Sequence, residues 1–166
     1  GPWLPLYRAP WAVEARAEVA ALAELLQAPV IAARMGRGVL SSKHYLSRTM
    51  PVGYKLWARA DAVLAVGTRL QIPLMNWGVD DDLKIVRVDI DPEEPGRVAQ
   101  PAEAIVADAR AALRALLPQI ERHNRRRTRR EAEALVDGFE DVADMGVVEV
   151  GRRPAAEMDM LDVIDL

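Results

Sequence analysis

The chain has 166 residues, 51% of them hydrophobic, with 22 basic and 25 acidic side chains and a formal net charge of −3, which suits one domain with a real core plus a tail. There is no cysteine, and His44 and His123 are the only histidines; disulfides and a thiolate zinc site are excluded, and any metal would be a hard cation held by oxygen. No apolar run approaches the ~20 residues of a bilayer span, and no basic segment leads an apolar one at the start, so a soluble, cytoplasmic protein with no membrane partner is expected.

The opening "GPWLPLYRAP" is rich in proline and lacks an apolar run. Residues 1–12 therefore read as an N-terminal arm, with Gly1-Pro2 as a protease-cleavage scar, and no strand is expected there. In "VEARAEVAALAELLQ", Ala15, Val19, Leu22 and Leu26 make one apolar stripe, which predicts a helix from about Val13 to Gln27. "APVIAA" then reads as a buried strand that runs into the glycine-rich loop "RMGRG". Ser41 and Ser42 offer hydroxyls able to cap a helix, which would pass through Pro51 and Gly53 and end near Ala60. "AVLAVGTRL", "LKIVRVDIDP" and "EAIVAD" are three further apolar runs, each closed by Gly or Asp. The last leads into "ARAALRALLPQIERH", where Ala109, Leu113, Leu116 and Ile120 share a face and Asp108 stands at the N-cap position. Apolar runs alternating with helices predict an α/β fold, a doubly wound parallel sheet covered on both faces.

Ligands of such sheets bind at the carboxyl ends of strands, where loops gather and helix N-termini aim N–H groups outward. The loops "ARMGRG", "VGTRL" and "VDIDPEE" are the candidates. Gly36, Gly38 and Gly67 would let backbone approach a phosphate, while Arg37 and Arg69 would supply positive charge. Asp89 and Asp91, at i and i+2 of a strand end, have three readings. They could accept from the hydroxyls of a ribose, simply set the turn at Asp91-Pro92, or join Glu93 or Glu94 around a hard cation. Ser41, Ser42 and Ser47 lie near His44 in sequence, but hydroxyls beside a histidine in one segment read as caps, since a nucleophile and its base normally come from distant segments. No catalytic residue is assigned, and His44 reads as a partly exposed helix residue.

Taken in order, "APVIAARMGRGVLSSKHYL", "ADAVLAVGTRL", Trp77, "LKIVRVDIDPEE" and "AIVADARAALRALL" resemble the central domain of thiamine-diphosphate-dependent enzymes of the acetolactate synthase and benzoylformate decarboxylase type. The resemblance runs roughly from Val13 to Arg122. It implies a Rossmann-like, six-stranded, three-layer α/β/α domain. In such enzymes this domain binds FAD in acetolactate synthases or an ADP-type nucleotide in some relatives, and in many it is a scaffold without a ligand. Carried over by position, the candidate nucleotide contacts are Gly36, Gly38, Gly67, Thr68, Arg69, Asp89, Asp91 and Asp108. Thiamine diphosphate and magnesium belong to flanking domains whose activating glutamate and Gly-Asp-Gly to Asn motif have no counterpart here, so the chain alone is expected to be inactive. The family's first strand and its glycine-rich turn have no candidate in "GPWLPLYRAP".

Beyond that region the composition changes. Six arginines stand between Arg122 and Arg130, and residues 131–166 then hold 11 acidic side chains against two arginines. Residues 124–166 are expected to form an Arg-rich helical extension outside the core and an acidic C-terminal tail, following the central-type domain of residues 13–123. The arginine run lacks interleaved aromatics and is followed by opposite charge, so it reads as a solvated or internally paired helix face rather than a nucleic-acid site. "AAEMDMLDVIDL" could close the domain's own surface or dock on a partner. The expected function is the scaffold or nucleotide-binding module of a thiamine-diphosphate-dependent carbon–carbon lyase or synthase. Its partners would be catalytic domains on a parent chain, or further copies in a homo-oligomer. The alternative is a stand-alone interaction protein that uses the acidic tail.

Overall fold

The computed structural model describes residues 2–6, 14–32, 36–123 and 127–137. In chain order the elements are β1 (Pro2–Leu6), α1 (Arg16–Leu26), β2 (Val30–Ala32), β3 (Ser47–Arg48), α2 (Met50–Trp57), β4 (Ala62–Val66), α3 (Gln71–Asn76), β5 (Lys84–Asp89), β6 (Glu103–Val106), α4 (Ala109–His123) and α5 (Arg129–Ala134). The strands form one six-stranded sheet in the order β3-β2-β1-β4-β5-β6, and every pairing is parallel. This is the strand order of the doubly wound dinucleotide-binding fold.

Alternation along each strand sends side chains to two separate cores. Val30, Val66 and Val88 join Val19 and Leu22 of α1 and Leu113 of α4 on one face. On the other face Ile31, Val63, Ala65 and Ile85 join Val52 and Leu56 of α2 and Leu74 of α3. The result is the expected three-layer sandwich, with each face dry enough for a fully buried Leu or Val to contribute about 1.5–3 kcal/mol.

Four sequence expectations are corrected. First, the opening segment is not an arm. Pro2–Leu6 is β1, and it lies in the interior of the sheet, with Pro2 and Trp3 registered against Ala62 and Val63, and Leu4, Pro5 and Leu6 against Val30, Ile31 and Ala32. Each half of β1 is laddered on one side only, so its prolines forfeit fewer hydrogen bonds than they would in a strand paired along its whole length. The family's first strand is therefore present, and the open edges are β3 and β6. Second, Ser41 and Ser42 start no helix: the Ser41 hydroxyl accepts from Lys43 N within a turn, and α2 begins only after Thr49.

Third, His44 is not helical. Its Nδ1 accepts from Leu46 N at 3.1 Å and its Nε2 meets Glu24 Oε1 at 3.0 Å, which fixes the neutral ring with the proton on Nε2, donating to Glu24. The ring also stacks on Tyr45, so its role is to hold the turn before β3 onto α1. Fourth, the chain beyond the arginine run is not wholly outside the core. α5 is started by a capping box between Thr128 and Glu131, and Ala132 and Val136 are buried, one in each core. Arg129 covers the Tyr45 ring at 4.3 Å. The acidic segment from residue 138 and residues 124–126 lie outside the described residues.

At Gly53, α2 packs directly against β2 of the sheet. A Cβ there would sit 2.8 Å from Ile31 Cγ2 and 3.0 Å from Cγ1, below any normal contact, and Ile31 is buried in β2. Gly53→Ala should therefore destabilise the protein by about 1–3 kcal/mol, as overpacking does. Urea unfolding would measure this, and in a double-mutant cycle Gly53→Ala should cost less in an Ile31→Ala background than in the wild type if the clash is its cause.

On the opposite face, Arg114 of α4 donates to Glu18 of α1 at 2.7 Å. Backbone hydrogen bonding, partly opposed by burial and aided by Arg114, holds the Glu18 carboxyl below its ordinary value of 4.5. A depressed carboxylate stabilises the fold above its unfolded-state value, and that stability is lost as pH falls through the folded-state value. Acid titration of Glu18→Gln should accordingly give a shallower loss of stability below about pH 4.5 than the wild type; parallel curves would show that Glu18 does not contribute to acid unfolding.

Candidate functional site

In a 3-2-1-4-5-6 sheet the strand order reverses between the first and fourth strands, and the crevice at their carboxyl ends is where ligands enter. Here that crevice is bounded by the loop after β4, Gly67 to Leu70. Gly67 has φ +58° and donates its N–H to Val88 O at 2.8 Å. Leu70 takes the same left-handed region, φ +53°, unusual for a γ-branched residue. Thr68 pins it: the buried Thr68 hydroxyl accepts from Leu70 N at 3.0 Å. The turn is thus rigid, and it delivers the Arg69 side chain to the surface, where it is about half exposed.

The loop after β5 is shaped by Asp89 and Asp91. Asp89 Oδ1 accepts from Asp91 N at 3.1 Å, and Asp91 Oδ1 accepts from Glu93 N at 2.9 Å. These are two successive Asx turns, so the turn-setting role holds for one oxygen of each. Among the described residues, no group of three or more His, Asp or Glu side chains is placed to hold a metal ion. Asp108 is the N-cap of α4, with its Oδ1 accepting from Ala111 N at 3.0 Å.

Most of the residues singled out from sequence do come to one place. Arg87 of β5 donates to the carbonyl of Thr68, which ties the β4 loop to β5. Ala107 N donates to Asp89 O at 3.0 Å, which ties the end of β6 to the end of β5. Gly67, Thr68, Arg69, Asp89, Asp91 and Asp108 therefore line adjacent strand ends. Gly36 and Gly38 do not join them directly: they belong to the loop after β2, two strands from β4. Gly38 has φ +89°, and a Cβ on it would face Arg16 of α1 at 3.8 Å.

The sequence reading missed the charged residues that organise this end of the sheet. Arg87 is only 1% exposed; besides Thr68 O it donates to Pro95 O at 3.0 Å, while its Nε has no hydrogen-bond partner among the described residues. Burial pulls the guanidinium below its ordinary value, and the negative charges of Asp89 and Glu94 act against that. Glu94 is itself buried, at 8% exposure. Its Oε2 lies 3.3 Å from Arg69 Nε and its Oε1 3.3 Å from Arg97 Nη1. The signal was present as an arginine at an inward position of an apolar strand, a residue type almost never fully buried unless it is paired. A separate open depression of about 590 Å³ runs along Pro92, Arg97, Gln100 and Glu103. It is lined by the loop after β5 and the first residues of β6.

Comparison with known proteins gives one family. Residues 9–116 match the family described as thiamine pyrophosphate enzyme, central domain. Among curated proteins the chain is similar to a sulfoacetaldehyde acetyltransferase of Roseovarius nubinhibens, 36% identical over 121 residues, covering 66% of this chain and 19% of the relative. It is also similar to a probable sulfoacetaldehyde acetyltransferase of Rhizobium meliloti, 34% identical over 72% of this chain and 22% of the relative. A third is the acetolactate synthase large subunit of Corynebacterium glutamicum, 34% identical over 63% of this chain and 18% of the relative. The chain spans about a fifth of the length of these relatives.

Proposed function

Since the chain belongs to the thiamine pyrophosphate enzyme central domain family, we propose that it is the central module of a thiamine-diphosphate-dependent carbon–carbon lyase or synthase, a scaffold that also binds an ADP-type nucleotide such as ADP or FAD. The observation that carries the nucleotide part is the rigid Gly67-Thr68-Arg69 turn at the reversal of strand order, with Asp89 and Asp91 on the neighbouring strand end. Backbone at Gly67 and the Arg69 guanidinium would meet the diphosphate, and Gly36 and Gly38 would border it from the β2 side. Asp89 and Asp91 each keep a second carboxylate oxygen outside the Asx turns, which is what a ribose 2′ or 3′ hydroxyl requires. Asp108 would act at the rim through the N-terminus of α4.

Thiamine diphosphate and its magnesium do not fit the described residues, which offer no convergent oxygen-donor set. No chemical step is assigned to this module, and turnover would fall to catalytic domains of a parent chain.

Calorimetric titration of the protein with ADP and with FAD tests the reading. Binding of either is expected, with Asp89→Asn and Arg69→Ala each weakening it about tenfold or more, the worth of one charge-assisted hydrogen bond. Absence of binding at roughly millimolar ligand would leave the scaffold role alone.

A further inference from the structure

Arg69 and Arg97 come from different strand loops, β4 and β5, yet both converge on the one buried carboxylate of Glu94 at 3.3 Å. Both guanidinium side chains are half exposed, 51% and 50%, while the Glu94 side chain is 10% exposed. Two solvent-facing cations closing over one buried anion is the arrangement a bound phosphate would have. Glu94 fills that place incompletely: its Oε2 makes charge contact with Arg69 but has no hydrogen bond among the described residues, and neither does the buried Arg87 Nε below it.

We infer that Arg69 and Arg97 form an anion subsite for a phosphate or diphosphate group, and that Glu94 occupies it as an internal counter-ion, so that the segment from Asp91 to Glu94 is a latch which the incoming anion must displace. The inference rests in part on the nucleotide reading above, but makes a demand of its own. A carboxylate held only for structure helps both folding and binding when present. A carboxylate that competes with the ligand helps folding and opposes binding.

The loop is built to be released. Its own backbone hydrogen bonds, Glu94 N to Asp91 O and Arg97 N to Glu94 O, are both 3.3 Å long, at the weak end of the range. Apart from the Asx turns, its polar ties to the rest of the domain among the described residues are Arg87 donating to Pro95 O and the Arg69–Glu94 ion pair, whereas the Glu94–Arg97 pair lies within the loop. When Glu94 swings out, Arg87 still holds the backbone at Pro95, so Arg97 stays beside Arg69 and the two gain a ligand with more oxygens than the carboxylate had. The uncovered Glu94 reaches water instead of remaining a buried charge.

The test compares wild type, Glu94→Gln and Glu93→Gln, each titrated calorimetrically with inorganic pyrophosphate and with ADP, with hydrogen exchange followed at residues 91–97. Glu93 is exposed and serves as the control for simple loss of a negative charge in the same loop. Glu94→Gln should bind pyrophosphate about five- to tenfold more tightly than wild type, which is what two half-exposed ion pairs of ordinary strength amount to, although the variant is less stable. Glu93→Gln should change affinity less than twofold or so. Ligand should speed exchange at residues 91–97 in the wild type, and Glu94→Gln should exchange fast without it. Equal or weaker binding by Glu94→Gln, an equal gain in Glu93→Gln, or slower exchange on binding would each overturn the latch. Pyrophosphate and ADP binding alike would assign the subsite to free diphosphate, and tighter ADP binding would assign it to the nucleotide. If ADP binds wild type and Glu94→Gln equally, the nucleotide reading stands and the latch falls. If both ligands bind only Glu94→Gln, the subsite stands and the nucleotide reading of the resting protein falls. If neither binds any variant, both are wrong.

Discussion

A chain lacking residues 1–6 is expected to lose its cooperative thermal transition. β1 is the strand that joins the two halves of the sheet, with β2 and β3 on one side and β4, β5 and β6 on the other. Its five registered partners, Ala62, Val63, Val30, Ile31 and Ala32, would be left facing a gap. Val30 and Val63 are at most 1% exposed in the intact protein, so water cannot reach those backbone groups without opening both cores. An unpaired buried backbone group costs about 1–3 kcal/mol, and several together match the whole stability of a domain, about 5–15 kcal/mol. Far-ultraviolet dichroism on heating would decide it. A deletion variant that still melted cooperatively within a few degrees of the intact chain would mean that the sheet closes without β1.

The same strand explains where sequence reading reached its limit. Strands β2, β4 and β5 were legible because each is an apolar run largely buried in the sheet and closed by glycine or aspartate, and β6, although it is a mostly exposed edge strand, from the same run ending in aspartate. α1 and α4 were legible from their stripes, and Asp108 from its capping chemistry. β1 was not, because proline argues against strand locally, and only the one-sided pairing seen in three dimensions makes it tolerable. β3 has two residues, Ser47 and Arg48, too few for any period to show. α3 is preceded by Leu70 as its N-cap, a residue in the left-handed region with no sequence signal for it; Thr68 supplies the compensation. At the candidate site the acids were found and their turns foreseen, since Asx chemistry is local. The pairing of Arg69 with Glu94 was not foreseen, because it depends on two loops brought side by side by a β4–β5 crossover.

Arg87→Met is the substitution for which the balance of effects is sharpest. Replacing a buried ion pair by apolar side chains of similar volume is often neutral or stabilising, because desolvating charge is costly. Arg87 differs in what it holds. Two of its donors go to main-chain carbonyls, Thr68 O and Pro95 O, and these remain buried whatever side chain stands at position 87. Each would then lack its partner, at about 1–3 kcal/mol apiece, and Asp89 and Glu94 would lose the cation that offsets them. Burial outweighs the neighbouring carboxylates in its effect on the guanidinium, so relief from burying that charge returns part of this sum. A loss of about 3–4 kcal/mol in denaturant unfolding is therefore expected for Arg87→Met. Arg87→Lys should recover roughly half, since a single ammonium keeps the charge but cannot span two carbonyls on different loops as a planar fork does. Should Arg87→Met prove as stable as wild type, or Arg87→Lys fully restore it, the fork between the β4 and β5 loops would not be what fixes the carboxyl end of the sheet.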